Sequence, residues 1–180
     1  MANITAGKWT LDDSHSEAMF SVRHAGISRV HGTFEEFSGS ATLTENLNGS
    51  VIEAIVKAAS VNTRNEGRDE HLRSADFFDA ENHPELKFES LEVSDFDGEE
   101  FKLKGKLTMR GVTKEVEFKG DFGGQTVDAF GATRAGFEAE TEISREEFGL
   151  TWNAALEAGG FLVSDKVRIT LDVSFTKDEE

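Results

Sequence analysis

The chain has 180 residues, with 35 Asp plus Glu against 19 Lys plus Arg and a formal net charge of −16. Such a field repels phosphate backbones and argues against nucleic-acid binding and against a basic patch on an anionic membrane. With no cysteine there are no disulfides, thiolate metal sites or cysteine nucleophiles, and no run of about 18 apolar residues predicts a membrane span.

The length suits one domain over residues 1–180 with a sizeable core. The opening MANITAGKW has neither a basic n-region nor an apolar h-region, so a cytoplasmic location is expected. Pro84 is the only proline and glycine is frequent, which suits strands joined by tight turns.

Lys8 to Asp12 reads as a short strand. Glu17 to His24 alternates, with Ala18, Phe20 and Val22 on one face and Glu17, Ser21 and Arg23 on the other; Met19 is out of phase. A turn at Ala25-Gly26 leads into a long run from Arg29 to Thr44, where Gly32 and Gly39 predict bulges or bends. Asn46 to Gly49 is a turn signal, and Ser50 to Ala59 reads as a strand rich in Val, Ile and Ala, although its Ala and Lys also permit a helix. Asn65 to Ala80 lacks alternation. It fits short helical turns, the first capped by Asn65 and the second, holding Phe77 and Phe78, capped by Asp76. His83-Pro84 marks a break.

Alternation then returns. Leu86, Phe88 and Ser90 share a face, and Asp95 to Gly98 turns the chain. Phe101, Leu103, Gly105, Leu107 and Met109 alternate with lysines, Thr108 and Arg110; a hairpin follows at Arg110-Gly111 or Gly111-Val112. Val116, Phe118, Gly120 and Phe122 alternate with charged residues, so that Lys of one strand opposes Glu of the next on the wet face. Gly123-Gly124 predicts another turn, and Asp128 to Ile143 another strand. Ser144 with Glu147 reads as the cap of a helical turn over 144–150. After a turn at Gly159-Gly160, the residues Val167, Ile169, Leu171, Val173 and Phe175 form the apolar face of a last strand, and 177–180 reads as a frayed tail.

About eight consecutive strands, each apolar on one face and charged on the other, predict an all-β fold: an eight-stranded antiparallel barrel with a short helical insert. A barrel of that size is either filled by its side chains or holds one small ligand. The alternation by itself favours the filled core, the usual state of a protein interior. The 15 Phe and absence of Tyr leave the other outcome open. Large rings facing small residues would line a dry void that takes an alkyl or isoprenoid chain, at ~0.8 kcal/mol per CH₂.

Motifs for chemistry are weak. His15, His24 and His31 lack zinc spacing and read as hydrogen-bonding residues at strand ends, so no metal is expected. Asp95-Phe96-Asp97-Gly98 starts like a calcium loop, but Lys106 stands where the bidentate Glu belongs. Arg68-Asp69-Glu70-His71 holds acid, base and imidazole together and reads as a solvated helix face, with an acid–base role for Asp69/His71 or Asp12/His15 the alternative. No G-x-S-x-G is present. No catalytic residue is assigned and no enzyme is expected.

Five blocks taken together resemble the YceI-like family of lipid-binding proteins. They are GKWTLDDSHSEAMFSVRH, VHGTFEEFSG, SVNTRNEGRDEHLRSADFFDAENHPELKF, GKLTMRGVTKEVEF and ISREEFGLTWNAALEAGGFLVSDKVRITLDV. They stand in the family's order over nearly the whole chain. The D-x-x-H-S opening, the S-V-N-T…R-D-x-H-L-x-S-x-D-F-F-D centre and the L-T-x-x-G-V-T-K hairpin are distinctive together. The resemblance implies a lipocalin-like barrel that binds polyisoprenoids, isoprenoid quinones or fatty-acid-like amphiphiles, often as a homodimer, and with no cofactor other than the bound lipid. It turns the dry face from a plug into a ligand wall and makes the central insert a cap or gate. On that reading the ligand's chain contacts Phe20, Val22, Phe34, Phe101, Leu103, Phe118, Phe137, Val167 and Ile169, Phe77 and Phe78 close one end, and His24, Arg64 or Arg68 meets its polar head. A filled-barrel stress-response or interaction protein is the alternative, with an enzyme acting on a prenyl lipid behind it. Many family members carry a secretion signal, which this sequence does not display.

Overall fold

The computed structural model describes residues 4–157 and 159–179. Eleven strand segments follow in order: β1 (Gly7–Leu11), β2 (Glu17–His24), β3 (Ser28–Phe34), β4 (Phe37–Leu43), β5 (Val51–Lys57), β6 (Val61–Asn62), β7 (Glu85–Ser94), β8 (Glu100–Met109), β9 (Val112–Val127), β10 (Thr133–Ser144) and β11 (Val163–Lys177). One helix, α1 (Glu66–Arg73), lies between β6 and β7.

These segments fall on eight strand positions. β1 and β2 run end to end along β11, through Leu11↔Phe175 and then Ala18↔Leu171 to His24↔Val163, and are separated only by a 3-10 turn at Asp13–His15. β3 and β4 likewise form one kinked strand against them, and β5 and β6 a third, broken by a 3-10 turn at Ala58–Ser60. From there β5–β7–β8–β9–β10–β11 pair in succession, every ladder antiparallel, and β1–β11 closes the ring. Closure removes the free edges, as the run of hairpin-linked amphipathic strands requires.

The glycines act differently from the sequence expectation. Phe20 pairs with Gly32 and Phe101 with Gly120, both without a break in register. A Cβ on Gly32, Gly105 or Gly120 would sit 2.3 Å from the ring tip of Phe20, Phe88 or Phe101 respectively. These glycines are slots for aromatic rings rather than bends, a cross-strand pairing that shields bare backbone. The kink in the β3–β4 strand falls instead at Glu35-Glu36. The register shifts lie between Ser90/Glu92, Gly136/Phe137 and Val163/Val167.

Other local expectations are corrected too. β9 runs through Gly123-Gly124; the turn comes at 128–132, where Asp128 accepts from the N–H of Phe130 (2.8 Å) and Ala132 (3.0 Å). The turn at Glu146–Phe148 is capped by Asp165, which accepts from Glu146 N (3.0 Å), while the Ser144 hydroxyl donates to that same carboxylate (2.7 Å). The turn at Phe77-Phe78 starts at Ser74, because Asp76 is turned toward His71. Lys104 and Lys106 do oppose Glu117 and Glu115, but Lys102 opposes Lys119. The tail is held: Lys177 ends β11 and Asp178 accepts from the Thr10 hydroxyl at 2.6 Å; Glu180 lies outside the described residues. Asn65 caps α1 as its residue type predicts, accepting from Arg68 N at 3.0 Å. The β8–β9 hairpin closes through Arg110-Gly111, both at positive φ, between the paired Met109 and Val112.

The two ends of the barrel differ. At one, Ile4, Trp9, Leu47 and Ala135 are almost wholly buried, and Trp9 donates its indole N–H to Thr5 O (3.0 Å), so the base is plugged. The other end carries the β2–β3 turn, the α1 insert, the β8–β9 hairpin and the long 145–162 connection. These are the elements from which a mouth can be built.

Candidate ligand cavity

Inside the barrel lies a cavity of about 390 Å³. Its wall is almost entirely apolar. Phe34, Phe101, Leu103, Phe118, Phe137, Val167 and Ile169 line it together with Phe20 and Val22, and Phe77 and Phe78 lie beneath the insert. The interior is therefore not close-packed, contrary to what alternation alone favoured. One observation locates the slack. Phe20, Val22, Phe34, Val167, Ile169, Leu171 and Val173 point inward yet remain only partly buried, because they border empty space. Across the barrel Leu103, Leu107, Met109, Phe118, Phe137, Ala139 and Ile143 are buried. Ile52, Ala54 and Val56 of β5 line it half-buried as well, so the void lies against β2, β3, β5 and β11.

Aromatic pairs fix the rest of the wall. Phe88 meets Phe118 edge-on at 5.7 Å, and Phe101, Phe137 and Phe175 form a chain of edge contacts at 6.0 Å. Phe20 and Phe34 pack at 5.6 Å, and Phe34 continues to Phe78 of the insert at 5.6 Å. Edge and tilted contacts of this kind are the favoured geometries of aromatic pairs and hold the rings of the wall in place.

Most of the polar lining residues lie at the insert end; Ser38, Glu53 and Lys87 border the cavity along β4, β5 and β7. His24 closes β2, Arg68 lies on the first turn of α1, and His71 on its last. Arg68 is aimed by Thr63: its Nε donates to Thr63 Oγ1 and its Nη2 to Thr63 O, both at 2.7 Å. Thr63 is itself fixed by buried Asp69, which accepts from Thr63 N (2.8 Å) and from its hydroxyl (2.6 Å). His71 Nε2 donates to the Asp76 carboxylate (2.9 Å), and the ring packs edge-on against Trp152 (4.6 Å) and Phe77 (5.1 Å). His24 and Arg68 are exposed and His71 is half-buried, so this polar group is where the apolar wall meets water.

Arg64 is the sequence-assigned residue that the structure leaves outside. It lies on an exposed turn at φ 65°, its N–H donating to Asn62 Oδ1, and does not line the cavity. Conversely, Leu72, Trp152, Leu162 and Arg145 line the cavity without having been assigned to it. Trp152 sits in a stretch without alternation, so periodicity could not place it. Arg145 follows a strand end that resembles any charged terminus. It is 4 % exposed and donates to the carbonyls of Leu150 (2.6 Å), Ser164 (2.8 Å), Trp152 (2.9 Å) and Val163 (3.1 Å), tying the 149–164 connection over the barrel. Burial pulls its basicity down, opposed by Glu146 and Asp165.

The acid–base groups are engaged in structure. Asp69 holds Thr63. Asp12 lies outside the barrel and accepts from Ser14 Oγ (2.6 Å), Arg134 Nη1 (2.7 Å) and His15 Nδ1 (2.8 Å). The Ser14 hydroxyl and then the Arg134 guanidinium hold its carboxyl well below the usual carboxylate range. His15 meets both Ser14 and Asp12 through the same Nδ1, so the relay of a nucleophilic triad is not formed.

A closed, eight-stranded antiparallel barrel with an apolar interior and a polar mouth defines the class: a lipocalin-like cavity protein. The YceI-like domain profile matches residues 9–175. A UPF0312 protein of Photorhabdus laumondii is 39 % identical over 142 residues, 78 % of this chain and 73 % of that protein. Protein YceI of Escherichia coli O157:H7 is 38 % identical over 140 residues, 77 % of this chain and 73 % of its own. The crystal structure of the Campylobacter jejuni YCEI protein superposes with TM-score 0.75 at 29 % identity, covering 87 % of this chain and 90 % of that one. The fold is shared at 13 % identity with a polyisoprenoid binding domain from Saccharophagus degradans, TM-score 0.70, over 97 % of this chain and 100 % of that one. The chain belongs to the YceI-like family.

Proposed function

We propose that this protein binds a long-chain amphiphile, such as a polyisoprenoid, an isoprenoid quinone or a fatty-acid-like lipid, inside the barrel, and carries or sequesters it rather than transforming it. The observation that carries this reading is the cavity of about 390 Å³ whose wall is almost entirely apolar and which has His24, Arg68 and His71 at its insert end. A dry wall of Phe, Leu, Val and Ile rewards any apolar chain roughly alike, at ~0.8 kcal/mol per buried CH₂, and imposes little directional selectivity. The polar end of the ligand would meet His24 and Arg68, where a cation aimed by Thr63 suits an oxygen-rich or anionic head. The polyisoprenoid-binding description of the Saccharophagus degradans domain, which has the same fold, supports the same ligand class. The acid and imidazole groups near the cavity are held by Thr63 and Asp76, which favours binding over turnover.

The test is mass spectrometry of organic extracts from the purified protein, followed by titration of the delipidated protein with prenyl lipids and fatty acids. A co-purifying long-chain amphiphile, rebinding at one site per chain, is the expected result. Empty extracts together with no binding of any such lipid would overturn the proposal.

A further inference from the structure

The acidic charge is not evenly spread. No Asp or Glu occurs between Glu17 and Glu35, a stretch that contains all of the β2–β3 hairpin save its first residue. On the outer face of this hairpin Arg23 pairs with Arg29 and Ser21 with His31, and Ser21 also neighbours Arg168 of β11. Among the described residues Arg23, Arg29, Lys166 and Arg168 have no carboxylate within 4 Å, although Glu142 opposes Arg168 in the ladder. At the tip of the same hairpin Ile27 is 87 % exposed, and Phe161 of the facing connection is 64 % exposed. The two loops are joined, since Ala25 N donates to Leu162 O at 2.7 Å. Two large apolar side chains therefore stand bare beside the cavity mouth, with a cationic face behind them. Asp165, next to Lys166, is held by the Ser144 hydroxyl and Glu146 N.

From this we infer that the mouth end docks on an anionic lipid bilayer, Ile27 and Phe161 entering the interface and the hairpin's cations facing the headgroups. The inference rests on the lipid-binding reading for its purpose, delivery or withdrawal of the ligand at the membrane, but not for its observations. Apolar anchors plus a basic face are the two signals that reversible interfacial binding combines. The overall charge of −16 does not prevent it, because charges farther away than a Debye length of ~8 Å are largely screened at physiological salt.

Flotation of the full chain with phosphatidylglycerol-containing and with pure phosphatidylcholine vesicles tests it. The protein should float with the anionic vesicles at low salt and be released as salt rises. Ile27→Asp with Phe161→Asp should weaken this at least ~10-fold, and Arg29→Gln with Lys166→Gln by about fivefold per charge, at unchanged melting temperature. A fluorescent polyene fatty acid, offered once from ethanol and once from vesicles, separates the two readings. Uptake from ethanol with no flotation overturns docking and leaves the cavity assignment standing; flotation with uptake from neither source does the reverse. Equal flotation on neutral vesicles, or an Ile27/Phe161 variant that alters the sedimentation mass instead of flotation, also overturns it, the latter in favour of a contact between copies of the chain.

Discussion

Val167→Phe separates a ligand cavity from a merely loose core. Val167 lies on β11 between Val22 of β2 and Ile143 of β10, on the inward face, and is only partly buried because it borders the void. Phe adds about four carbons, worth up to ~3 kcal/mol of burial at ~0.8 kcal/mol each. Cavity-filling substitutions realise about 0.5–2 kcal/mol of such a gain, or a rise of about 2–4 °C in melting temperature per kcal/mol for a chain of this size. In a close-packed interior the same change would cost about 1–3 kcal/mol through overpacking. The two cases thus differ in sign. Thermal melts of delipidated protein should show Val167→Phe more stable than the parent, while titration with a fluorescent fatty acid shows weaker binding and extracts carry less lipid. A variant that melts lower and binds as well as the parent would refute the placement of the void against β11.

Three further outcomes follow from the same geometry. Gly105→Ala should cost about 1–3 kcal/mol, because the new Cβ meets both the Phe88 ring at 2.3 Å and Glu89 O at 2.7 Å; Gly32→Ala should cost less, since Phe20 can turn into the cavity, but should reduce lipid uptake. Chemical denaturation and the fatty-acid titration read both. Arg145→Leu should destabilise by about 3 kcal/mol or more, since it strands buried carbonyls that share a charged donor, and Arg145→Lys should rescue little because an ammonium lacks the fork; hydrogen exchange should quicken across 149–163. Asp12 and Asp128 are held below their ordinary values, Asp12 by the Ser14 hydroxyl and then Arg134, Asp128 chiefly by Arg134. Their folded-state values are depressed, so their stabilisation is present above the unfolded value of 3.8 and fades as pH falls through the folded values. Asp12→Asn should accordingly melt below the parent at pH 7, with the gap closing in melts taken progressively below pH 3.8; a gap that is constant with pH would refute the linkage.

The sequence by itself determined the strands and their wet and dry faces, because a period of two is a local property that each strand carries in its own residues. It also carried the cap at Asn65 and the order of motifs that points to the family. It misread features whose meaning lies across the sheet: Gly32, Gly105 and Gly120 are seats for Phe20, Phe88 and Phe101, visible only once partner strands are in register. The Ser144 cap failed for a similar reason, as Asp165 reaches over from the next strand. Only the tertiary structure decided that the barrel is hollow, since a void is a mismatch between the ring's circumference and the summed volume of inward side chains, which no single strand contains. It alone brought His71 and Trp152 to the mouth beside Arg68 and left Arg64 outside, with Arg145 tying the 149–162 connection down over the barrel.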